Sequence, residues 1–190
     1  MFDEKKATQV AAYLLWKRGG EMAYLKLMKM MYLAEKKYLL KYGDSLMGDQ
    51  MVSMPRGPVL SSVCDLFKGN RNKYWDSWIK NPGNNNLALV DSVKVKKCNP
   101  LDTFDELSTA EKKILDYVFD KCGNKNRWNL VGRLHDQKIC PEWENPYGSS
   151  YPITRRSLLM KNGKSEQETE AILRSLEESE ELSLIVQRLV

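Results

Sequence analysis

The sequence predicts a mainly α fold: a single helical-bundle domain over residues 1–190 with a small β-ribbon. Two observations carry the helical part. Apolar residues recur at helical spacing through residues 3–18 and 21–42, and Ser108-Thr109-Ala110-Glu111 and Ser165-Glu166-Gln167-Glu168 read as capping boxes. A third carries the ribbon: residues 51–54 look extended, and Leu87, Leu89, Val93 and Val95 alternate as a strand does.

The elements follow in order. Residues 3–18 form a first helix, broken by Gly19-Gly20, and residues 21–42 form an unusually apolar second one. At about 100° per residue, Lys26, Lys29, Lys36, Lys37 and Lys41 share one face of that helix, with Tyr24, Met28, Met31, Tyr38 and Tyr42 opposite. The pattern reads as the central helix of the bundle, its lysines reaching solvent. Glu35 lies inside the apolar arc, so its carboxylate must be paired, hydrogen-bonded or protonated. It is expected to hold a neighbouring loop through backbone or arginine donors. Gly43 stops the helix.

Pro58 opens a helix running to about Lys68, and Trp75, Trp78 and Ile79 mark another short helical segment. The stretch from Asn81 to Asn86 reads as a loop, after which residues 87–95 could pair with residues 51–54. The Ser108 box opens a helix to Lys121, and a further helix covers Arg127 to Gln137. Residues 140–152 are irregular and residues 153–161 form a short helix. The Ser165 box opens the last helix, whose acidic block at residues 177–181 is a solvated face or a break.

Composition narrows the function. With 42% hydrophobic and 29% charged residues, the chain is neither low-complexity nor disordered, and no apolar run approaches a membrane span. The run after Lys5-Lys6 ends in Lys17-Arg18, so it reads as helix and not as a secretion signal; a cytoplasmic location is expected. Cys64, Cys98, Cys122 and Cys140 are too scattered for a zinc site or a disulfide framework. Residues 1–100 carry 17 basic and 9 acidic groups, an excess that would steer an acidic partner or nucleic acid to the first half.

Catalytic patterns are sparse. His135 is the sole histidine, so a nucleophilic device would have to join it, with Cys140 five residues on as the candidate. The other reading makes His135 an anchor for the irregular chain that follows. No phosphate-binding loop is present, and no metal or cofactor is expected. Trp143, flanked by Pro141, Glu142, Glu144 and Asn145, is either presented by its loop or packed over the end of the His135 helix.

Several features then fall into one order: Met31-Tyr32-Leu33-Ala34-Glu35, Gly43, Gly48-Asp49, and the turn Ser53-Met54-Pro55-Arg56-Gly57-Pro58-Val59. Trp128-Asn129-Leu130-Val131, His135, Pro141-Glu142-Trp143 and Pro146-Tyr147-Gly148 follow. With them the chain resembles the Panacea-domain, or SocA-like, antitoxin family. The resemblance implies a mainly helical domain of bacterial or phage origin, and a non-enzymatic protein that neutralises a toxin encoded beside it by binding it. Pro55-Arg56 ahead of Gly57-Pro58 departs from many members and makes the local surface particular to this chain.

The expected contacts with a protein toxin are Arg56 and Trp143. Glu35, Gly57, Pro58 and His135 are expected to be structural, with Glu35 and His135 holding the Gly57 turn and the loop after Cys140. The alternative function is a nucleic-acid-binding regulator that uses Lys29, Lys36 and Lys37.

Overall fold

The computed structural model describes residues 1–69, 73–94 and 103–189. Helix α1 (Glu4–Lys17) opens on Asp3, whose carboxylate accepts the Lys6 N–H at 3.0 Å. Residues 7–15 of α1 are all buried, so α1 shares the centre of the domain with α2 (Tyr24–Tyr42). Gln9 survives in that core because its amide is satisfied at both ends. Its nitrogen donates to Tyr74 Oη and to Asp105, and its oxygen accepts the Glu106 N–H.

Residues 21–23, expected as the start of the second helix, form strand β1 (Glu21–Ala23) instead. It pairs antiparallel with β5 (Asn86–Leu89), which pairs in turn with β4 (Ile79–Gly83). The asparagine-rich stretch expected as a loop is therefore mostly hairpin. Asn84 and Asn85 both take positive φ, 52° and 59°, the geometry that two-residue hairpin turns require and asparagine tolerates. A second sheet orders β3 (Val59–Leu60), β2 (Met51–Ser53) and β6 (Tyr151–Ile153). The expected pairing of residues 51–54 with residues 87–95 does not occur among the described residues: residues 51–53 and 86–89 join different three-stranded sheets, residues 91–94 are helical, and Val95 lies outside the described residues.

Helix α3 (Ser61–Lys68) starts three residues after Pro58. The side chain of its cap residue Leu60 has no acceptor atom, and the carboxylate of Asp49 accepts the Ser62 and Val63 N–H groups at 3.0 and 2.9 Å in its place. Short helices α4 (Lys73–Trp78) and α5 (Asp91–Lys94) flank the hairpin. Helix α6 (Thr109–Cys122) carries the expected capping box and packs on α1 and α2. Helix α7 (Arg127–Leu134) follows, capped by Asn126, and α8 (Arg155–Lys161) by Thr154. The last helix, α9 (Glu166–Leu189), runs without a break through its acidic block. The core gathers where α1, α2, α4 and α6 meet, around Leu14, Leu15, Met30, Met31, Trp75 and Leu115.

Candidate functional site

Lys26, Lys29 and Lys36 do not reach water. All three are buried, and each ammonium ends on the backbone of a distant segment. Lys26 donates to Gly123 O, Lys29 to Pro58 O at 2.8 Å, and Lys36 to Ile139 O at 2.8 Å. The expected solvated basic face is thus replaced by three internal staples. The chain after α6, the chain after α7 and the turn before β3 close over the aliphatic stems and take up the ammonium groups. Lys37 and Lys41 remain nearer the surface, over the rings of Tyr117 and Tyr42.

The strongest staple ends on a carboxylate. Lys36 Nζ donates to both oxygens of Glu142, at 2.9 and 2.8 Å. Tyr32 Oη donates to the same carboxylate at 2.6 Å and Asn162 Nδ2 at 3.0 Å. Burial pushes the Glu142 carboxyl up, but the Lys36 charge and these donated hydrogen bonds outweigh it, holding the group below its ordinary value. The Tyr32 hydroxyl is pushed well up by its burial and by the Glu142 charge. One buried cluster thereby ties α2, the Pro-Glu-Trp segment and the end of α8 together.

Glu35 is buried as its place in the apolar arc requires. It accepts the Ser45 hydroxyl at 2.6 Å and the Leu46 and Met47 N–H groups at 3.1 and 2.8 Å. Burial raises its pKa against the lowering effect of those donors. The loop it holds is the one at residues 45–47, not the Gly57 turn that was expected.

The Gly57 turn is held by Lys29, which bonds the carbonyl of Pro58, and by contact with His135. Met54 O accepts the Gly57 N–H at 2.9 Å, closing a turn with Pro55 at its second position. Gly57 sits at φ +88°, and a Cβ there would lie 3.3 Å from Lys29 Nζ and 3.4 Å from His135 Nε2. Burial brings the Lys29 ammonium down to about 7. Burial, and then the nearby Lys29 charge, lower His135 too.

The His135 ring stacks on Trp143 with centroids 4.2 Å apart. Trp143 is buried and donates its indole N–H to Met54 O at 3.1 Å. Trp143 therefore packs over the end of α7, the packed reading of the two, and its ring is buried where an exposed contact residue was expected. His135 Nε2 has no hydrogen-bond partner among the described residues, and burial pushes the Cys140 thiol up to about 12. The pair forms no nucleophile–base device. Among the described residues no group of three or more His, Cys, Asp or Glu side chains could hold a metal.

Arg56 is exposed, as expected, and has an aromatic neighbour that was not singled out. Its guanidinium lies 5.9 Å from the ring centroid of Trp128, and Arg127 lies 5.4 Å from the same ring. Trp128 is 55% exposed, in the first turn of α7. Neither arginine has a carboxylate partner among the described residues. Arg18 and Lys125 line an adjoining depression, where Glu21 is the one acidic side chain. A large exposed aromatic between two unpaired guanidiniums has the composition of an interface centre. A tryptophan opening a helix beside an arginine was the available sequence signal, but tryptophan reads as core by default.

Comparison with family models matches residues 27–144 to the antitoxin SocA-like, Panacea domain, more than half of the chain. The chain belongs to this family. The matched segment spans the three lysine staples of α2 or their acceptors, together with Glu35, the Gly57 turn, His135 and Glu142. Curated proteins and solved structures gave no match. No helix among the described residues is long and apolar enough to cross a membrane.

Proposed function

We propose that this Panacea-domain protein neutralises a protein toxin, encoded beside it, by binding the toxin directly and masking its working surface. The observation that carries the reading is the exposed Trp128 flanked by Arg56 and Arg127. Such a residue set anchors protein partners, and the basic excess of the first hundred residues would steer an acidic one towards it. The protein acts without catalysis and without a cofactor: its buried ionisable groups serve as scaffold. Expression in the cytoplasm, from a bacterial or phage genome, fits this role.

The nucleic-acid reading loses its main support, because Lys29 and Lys36 are consumed inside the fold. Co-expression with the product of the adjacent gene, followed by affinity purification and gel filtration, tests the proposal. One co-eluting species is expected, and Trp128→Ala should dissociate it without lowering the melting temperature. Two folded proteins eluting separately would contradict it.

A further inference from the structure

A groove of about 600 Å³ opens between α2, α3 and the β4–β5 hairpin. Its floor is a small apolar cluster of Met28, Val59 and Cys64, separate from the main core, with Tyr24, Met54 and Phe67 packed against it. The charges around it are one-sided: among the described residues Lys29, Arg56 and Lys68 line the groove and no carboxylate does. Lys29 is committed to Pro58 O, and Lys68 shares its charge with Asp65. Arg56 is the lining cation left with no acidic partner among the described residues.

From this charge and shape we infer that the groove seats a short apolar and acidic peptide segment of the partner protein. An apolar side chain of that segment lies on Met28, Val59 and Phe67, and a neighbouring carboxylate meets Arg56. The inference rests on the antitoxin reading above and names where the partner enters. Unbranched, polarizable Met28 and Met54 let the floor adapt to the inserted side chain. Nucleic acid fits less well, since the floor is apolar and the lining offers phosphates a single uncommitted cation among the described residues. The groove shares Arg56 with the Trp128 platform, so one segment crossing the rim engages both.

The test uses the full chain and 8-anilino-1-naphthalenesulfonate, an apolar ring system carrying one anion. The dye should bind the native protein, and Arg56→Glu with Lys68→Glu should weaken it roughly tenfold or more. Both side chains are exposed, and circular dichroism melts verify that the double variant is folded. As a second readout, Cys64 alkylation by iodoacetamide, mapped by mass spectrometry, should slow when the dye is bound. It should slow further in the complex with the adjacent gene product.

Unchanged dye affinity in the double variant overturns the inference, as does Cys64 labelling indifferent to dye. A complex that forms while Cys64 labels as in the free chain removes the groove but leaves the antitoxin reading standing. Absence of any complex removes both. A short DNA duplex that shields Cys64, where the partner protein does not, also overturns it.

Discussion

Lys36→Met breaks the buried cluster at its most costly point. Lys36 and Glu142 have side chains only 8% and 0% exposed, so removing the ammonium strands a carboxylate that water cannot reach. Removing one member of such a pair typically costs about 3–5 kcal/mol. Tyr32 and Asn162 still donate to Glu142, which favours the lower end of that range. The pH dependence gives a second signature.

In the native protein Glu142 titrates below its unfolded value, so its contribution is present above that value and is lost as pH falls through the folded one. Without Lys36, burial dominates, the folded value rises above the unfolded one, and the sign inverts: the deficit of the variant shrinks towards acid. Urea unfolding followed by tryptophan fluorescence at pH 7 and pH 5 measures both effects. Adding Glu142→Gln to Lys36→Met should recover about 1–3 kcal/mol, since Gln removes the stranded charge and keeps an acceptor for Tyr32. A cost of Lys36→Met below about 1 kcal/mol, or strict additivity with Glu142→Gln, would refute the staple argument.

Other outcomes follow from the same geometry. Gly57→Ala places a Cβ 3.3 Å from Lys29 Nζ at a positive φ and should destabilise by about 1–3 kcal/mol in a thermal melt. Lys29→Met should flatten the pH dependence of stability. With the native ammonium at about 7 and the unfolded one near the ordinary lysine value, the unfolded chain holds the extra proton between them. Wild-type stability therefore gains from rising pH across that window, and denaturation at pH 7 and pH 9 should show the gain missing in the variant. Ser108→Ala removes a capping box and should cost about 1 kcal/mol of unfolding free energy.

Local devices were legible in the sequence, and devices that depend on distant backbone were not. The Ser108 and Ser165 boxes are read from four consecutive residues, and both form as expected, each with reciprocal hydrogen bonds. Glu35 was legible because one carboxylate inside an apolar arc admits few solutions. Which loop it holds was not, since the residues that carry its donors, Ser45, Leu46 and Met47, have no pattern that marks them as its partners.

The lysines of α2 misled for a physical reason. A long stem with a charged head reads as snorkelling unless a carbonyl lies beyond it, and here those carbonyls belong to Gly123 and Ile139, about a hundred positions away. Strand pairing failed similarly: strands of two to five residues carry almost no register information, so residues 51–53 and 86–89 gave no sign of belonging to separate sheets. Trp128 was missed because exposure is a property of the packed molecule, and the one signal beside it, Arg127, does not outweigh the default reading of tryptophan as core.

The central claim is that binding by this chain silences a toxic protein. Growth of cells induced for the adjacent gene product, with and without this chain, tests it most directly. Restored growth from the wild type, lost with Trp128→Ala and Arg56→Glu while the variants stay folded and abundant, is the predicted result. Persisting toxicity in the presence of abundant, folded wild-type protein would contradict the account.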